Sequence, residues 1–183
     1  MRAVVILHAI AAAVHGLQPS ETWQQIKAQA ATAANSKTGS VMLPYLGNAV
    51  GRHASLAPAT AALLAERLTT GALPRNKLTL VLESSLVEAE ALLARDLNAV
   101  VEGDPAVPEL LTVFLHFKGF LALAAHRAAS HLWSTRSEDP GAGQLALLLQ
   151  GAASERTGVD IHPGATVGSV RKGRRAKRGA ESM

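Results

Sequence analysis

The 183-residue chain is long enough for one ordinary domain, or for a domain and a fragment. It is 48% hydrophobic but only 3% aromatic and has no cysteine, which excludes a disulfide framework and a zinc–thiolate site and points to an α-rich fold with a core of Ala, Leu and Val. The net charge of +4 is uneven: residues 171–183 hold six of the 18 basic residues and one acid, so the first 170 residues carry 12 basic and 13 acidic groups, and any attraction to phosphate belongs to the tail.

The N-terminal stretch "MRAVVILHAIAAAVHGLQPSE" is apolar, is interrupted by His8 and is too short to cross a bilayer as a helix. Residues 1–19 read as an extension with a possible targeting role, either a weak signal-peptide or a weak transit segment. The expected compartment is the cytoplasm, with a plastid or mitochondrion as the alternative. After Pro19, "SETWQQIKAQAATAAN" predicts a helix capped by Ser20 or Thr22. Gln25 follows Thr22 at capping-box spacing, and Trp23, Ile26 and Ala30 share one face.

"PATAALLAERLTTG" predicts a second helix, with Pro58 near its first turn and Gly71 past its end. A third is expected from about Arg75 to Val101, with Leu78, Leu82, Leu86 and Leu93 as its apolar stripe and a stop at "EGDP". From Pro108 to Trp133 the chain is strongly apolar but contains His116, Lys118, His126, Arg127 and His131. That pattern fits a buried helix pair or a kinked helix and not a membrane span. "STRSEDPGAG" reads as a polar loop and "QLALLLQGAASERTG" as a last helix with Gly158 as its left-handed stop.

The texture then changes. "VDIHPGATVG" replaces Ala and Leu with β-branched and turn residues, and Ile161 and Val167 stand six apart. Parallel β-helices of hexapeptide repeats need an aliphatic residue at that spacing, and one pair supplies barely one rung. The expected fold is mainly α: a multi-helix domain over 20–158, a rudimentary start of a left-handed parallel β-helix over 159–168, and a disordered basic tail over 169–183. "RKGRRAKR" in that tail has no interleaved aromatics to stack bases, so it reads as a solvated charge run with no nucleic-acid partner.

In order along the chain, "TWQQIKAQA", "RDLNAVVEGDPAV", "FKGFLALAAHR", "HLW", "LALLLQ" and "ASERTGVDIHPGATVG" resemble the serine O-acetyltransferase family over about residues 20–168. The resemblance implies a helical domain followed by a left-handed β-helix, assembled as a trimer or a dimer of trimers. It implies acetyl transfer from acetyl-CoA to the L-serine hydroxyl, giving O-acetylserine for cysteine synthesis. Acetyl-CoA is then a co-substrate, and no permanently bound cofactor or metal is expected. A His acts as general base and an Asp holds its tautomer, the arrangement a weakly nucleophilic hydroxyl requires.

On this resemblance Asp160 in "VDIHP" is the orienting Asp of the catalytic dyad. Asp104 in "GDPAV" is the carboxylate that meets the serine ammonium, an expectation weighed against an ordinary turn role before Pro105. His162 reads as structural. The family spacing from Asp160 places the base at Arg175, which stays protonated and cannot serve, and no His follows His162. The resemblance therefore implies a chain truncated relative to the family and inactive by itself, without the coenzyme groove or the C-terminal tail that grips O-acetylserine sulfhydrylase. A retained intron or a shifted reading frame would account for the change after Gly168, an expectation that sequencing the transcript across codons 165–175 tests. Gly103 in place of an Arg, Leu121 in place of a His, and the "SEDPG" loop are further departures from the family pattern.

Overall fold

The computed structural model describes residues 18–69 and 73–168. The expected extension up to residue 17, Gly71 and the basic tail lie outside the described residues. Eight α-helices are described: α1 (Pro19–Ala34), α2 (Gly39–Leu46), α3 (Leu56–Leu68), α4 (Arg75–Leu86), α5 (Glu90–Gly103), α6 (Leu110–His116), α7 (Lys118–Ser134) and α8 (Pro140–Thr157). A π-helical turn, Gly47–Gly51, follows α2 directly.

Two antiparallel-type pairings dominate, α3 on α4 and α7 on α8, with α4 against α7 joining them. The α7–α8 seam explains the alanine-rich composition. Ala124, Ala125, Ala128 and Ala129 are buried on α7, as are Ala142, Ala146, Ala152 and Ala153 on α8. Small side chains let two helix backbones approach closely while removing apolar surface from water, at about 25 cal/mol per Å2 buried. The few aromatics are concentrated instead of scattered. Trp23 of α1 meets Phe114 of α6 edge-on at 5.9 Å between ring centroids, and Phe114 meets Phe120 of α7 at 6.0 Å. Such offset and edge contacts suit the ring quadrupole and add to burial.

The predicted apolar faces are buried: Trp23, Ile26 and Ala30 on α1, and Leu78, Leu82, Leu86 and Leu93 along 75–101. The single helix expected there is instead two. At 87–89 the bonding tightens, with the Ala89 N–H donating to Leu86 O (3.0 Å) and the Glu90 N–H to Val87 O (3.4 Å). The break also sets Glu90 where its carboxylate accepts from Ala57 N (2.9 Å), at the start of α3. No Gly or Pro marks the break, so a tertiary contact, and not local propensity, decides it.

The same device recurs. Leu111 N, in the first turn of α6, donates to Gln29 Oε1 of α1 (2.9 Å). Helix amides with no partner in their own helix are thus satisfied by side chains far along the chain. The capping expected from Thr22 is corrected: Thr22 is buried inside α1, where its Oγ1 accepts from Asn98 Nδ2 (2.9 Å). Glu21 closes the N-terminus by accepting from Gln18 N (3.0 Å). The apolar stretch 108–133 is a helix pair, α6 and α7, and α8 begins earlier than expected because Asp139 caps it at Gly141 N (2.9 Å) ahead of Pro140. Residues 159–168 are irregular apart from a turn at 163–164, with no strand among the described residues.

Candidate functional site

Asp160, the expected dyad carboxylate, lies where the last helix hands over to the segment 158–168. Gly158 ends α8 with φ of 77°, the left-handed geometry that favours glycine. That reversal turns the chain back across α8 and α7. Thr157 Oγ1 accepts from Val159 N (3.1 Å), and the Asp160 carboxylate accepts from Gln150 Nε2 of α8 (2.7 Å). Asp160 is exposed, so its carboxylate faces water with one oxygen already held.

The next residues dock on α7. The His162 ring meets Trp133 edge-on at 5.1 Å, and its Nδ1 accepts from Gly164 N (3.0 Å). His162 therefore closes its own turn. Pro163 is buried, and a Cβ added at Gly164 would come within 3.0 Å of Trp133 Nε1. The backbone of Ala165 interacts with the buried His126 ring. The only buried side-chain polar atom without a hydrogen-bond partner among the described residues is Nδ1 of this His126. Burial, aided by the neighbouring Arg127 charge, holds His126 below the ordinary histidine range, so its neutral form is favoured.

Behind this surface lies a buried ion pair. Arg127 of α7 donates through Nε to Asp96 Oδ2 of α5 (2.8 Å) and through Nη2 to Asp96 Oδ1 (2.9 Å). Burial pushes the Asp96 carboxyl up, and the paired guanidinium pulls it back. The two-pronged geometry locks the rotation of α7, and with it His126 and Trp133, relative to α5.

Asp104 sits apart from Asp160. It follows the end of α5, is exposed, and its Oδ1 accepts from Ala106 N (2.9 Å), closing the turn before Val107. No hydrogen bond joins it to Asp160. Sequence reasoning missed Gln150, Trp133 and His126 as the groups that seat the Asp160 segment. A polar Gln at the end of the apolar run "LALLL" and a Trp just before a loop are the only signals that mark them. No group of three or more His, Cys, Asp or Glu among the described residues is arranged to hold a metal ion.

Residues 22–125 match the family "Serine acetyltransferase, N-terminal". The chain is 40% identical over 162 residues to "Probable serine acetyltransferase 4" of Oryza sativa subsp. japonica, covering 86% of this chain and 49% of the relative. It resembles the Neisseria gonorrhoeae serine acetyltransferase solved in complex with serine (TM-score 0.70, 32% identity, 78% of this chain and 57% of that one). It likewise resembles a serine acetyltransferase in complex with CoA (TM-score 0.74, 29% identity, 83% and 63%). The chain spans about half the length of the curated relatives it matches. With its helical body matched over 22–125 and the order of its motifs retained, the chain belongs to the serine acetyltransferase family.

Proposed function

We propose that this chain serves acetyl transfer from acetyl-CoA to the L-serine hydroxyl, with its helical body as the scaffold that presents Asp160. The observation that carries this reading is the pinning of Asp160 by Gln150 at the exposed edge of a body matched to the family. Solved relatives in complex with serine and with CoA support the substrate pair. In this reaction an imidazole takes the hydroxyl proton as the serine oxygen attacks the thioester carbonyl. The coenzyme A thiolate then leaves and receives a proton. Asp160 is the group that would accept the other N–H of an imidazole supplied by a joined C-terminal half and stabilise the imidazolium. Asp104 receives the substrate ammonium with the carboxylate oxygen that its turn leaves free.

The base itself has no counterpart at position 175, which is Arg175. The 183-residue polypeptide alone is expected to release no thiol from acetyl-CoA in the presence of L-serine, and clear turnover overturns that expectation. Joining residues 18–168 to the C-terminal half of a full-length serine acetyltransferase tests the scaffold. A folded chimera is expected to turn over, with Asp160→Asn lowering kcat and Asp104→Asn raising KM for serine. A folded but inactive chimera refutes the reading.

A second reading is a helical oligomerisation module. Leu147 and Leu148 of α8 and Val159 just after it are 37%, 39% and 39% exposed, apolar side chains open to solvent. Light scattering of the chain decides it: a trimer or larger species supports assembly through α8, and a monomer on dilution removes it.

A further inference from the structure

Between α3, the end of α6, the start of α7 and the last turn of α8 lies a cleft of about 190 Å3. Four ionisable side chains line it, Arg67, His116, Lys118 and Arg156, and no carboxylate does. Leucine and phenylalanine side chains form the rest of its wall. Arg67 is half-buried and fixed in place, its Nη2 donating to Tyr45 Oη (2.9 Å) and to Leu115 O (3.0 Å). Lys118 and Arg156 are exposed, and neither belongs to the two ion pairs of the described residues, Arg75–Glu66 and Arg127–Asp96.

Three permanent positive charges around one small concavity repel one another, and the apolar wall weakens the screening that open water gives. An anion in the cleft converts that repulsion into attraction. The helix ends that meet there, the start of α7 and the ends of α6 and α8, oppose one another in sign, so the side chains set the charge of the cleft. The volume equals about six waters at about 30 Å3 each, room for a tetrahedral oxyanion and part of its hydration. A larger cleft of about 470 Å3, lined by Arg52, His53 and Arg75, differs in one decisive respect. Glu66 lies in its wall and pairs with Arg75 at 3.1 Å, so part of its charge is neutralised from within.

We propose that the α6–α7–α8 cleft is a binding site for a small oxyanion of the phosphate or sulfate class, separate from the Asp160 surface. Arg67 is its preformed donor, and Lys118 and Arg156 close over the ion. Neither of these last two residues takes part in the acetyl-transfer reading, so the site is tested without reference to activity.

The test is calorimetric titration of the full chain with sodium phosphate and with sodium sulfate at constant ionic strength set by chloride. One saturable site is expected. The double variant Lys118→Gln/Arg156→Gln is expected to weaken it at least about tenfold, which is about 1.4 kcal/mol. Both residues are exposed, so circular dichroism of the double variant should match the parent, and its Tm in anion-free buffer should equal or exceed the parent's. The basic tail is controlled by Arg171→Gln/Lys172→Gln/Arg174→Gln/Arg175→Gln, which should retain the site. Absence of saturable binding, equal affinity in the double variant, or loss confined to the tail variant overturns the proposal.

Discussion

The helical body and the short segment 158–168 are held by different physics. The body owes its order to apolar burial, to the Trp23–Phe114–Phe120 cluster and to a buried two-pronged ion pair. The segment has almost no core of its own. One buried proline, one edge contact between His162 and Trp133, and a few hydrogen bonds seat it on α7 and α8. The residue with the chemical expectation, Asp160, lies in the weakly held part. Its position is therefore borrowed from the helices beneath, and precision at the site depends on residues that never touch substrate.

Disrupting the body sharpens this contrast most. Removing one partner of the buried pair, as in Asp96→Ala, leaves an uncompensated guanidinium and should cost about 3–5 kcal/mol in denaturant unfolding. Replacing both partners by apolar residues of similar size, Asp96→Leu with Arg127→Met, should recover most of that loss. If the double replacement is as damaging as the single one, the pair contributes more than its burial cost. Next in size is Glu90→Ala, which frees the Ala57 amide at the start of α3 and should cost about 1–2 kcal/mol.

His126 joins the two regions and gives a pH signature. Its folded-state value is held below the ordinary 6.5, so the unfolded chain takes up the proton first. Stability is full above about pH 6.5 and falls as acid is added below it, by at most about 1.4 kcal/mol per pH unit for one proton. His126→Phe should flatten that limb of a stability–pH curve, and an unchanged slope assigns it to another group. The smallest effect on global stability belongs to Gln150→Ala. It should move Tm by less than about 2 °C, yet speed amide exchange across 159–165. Equal exchange rates in parent and variant would show that Trp133 and Pro163 alone seat the segment.

Much of the body is legible in the sequence because its signals are local. The i, i+3, i+7 spacing of Trp23, Ile26 and Ala30 and the left-handed stop at Gly158 are written in nearby residues. The break at 87–89 is not, since "LVEAE" contains nothing that stops a helix and only the distant Ala57 amide explains the bend. The stretch 39–51 misleads in the opposite direction. Gly39, Pro44, Gly47 and Gly51 all read as breakers, yet the chain there forms α2 and a π-helical turn, with Leu46, Ala49 and Val50 buried. At the site, motif order marks Asp160, whereas its support by Gln150 depends on how Gly158 reverses the chain, a relation between two elements that no single window contains.

The long-range polar contacts of α1 have a consequence for the growing polypeptide. Gln29 reaches Leu111 across 82 residues, and Thr22 reaches Asn98 across 76. During synthesis α1 emerges with Trp23 and Ile26 at first uncovered; α2, the π-helical turn and α3 can meet part of it early, and α5 and α6 close the rest. At roughly 5–20 residues per second, 82 residues take about 4–16 s. For that interval α1, the first of the described helices, keeps part of its apolar face open at the mouth of the ribosome. A nascent-chain holdase would find its substrate there, well before Asp160 has been translated.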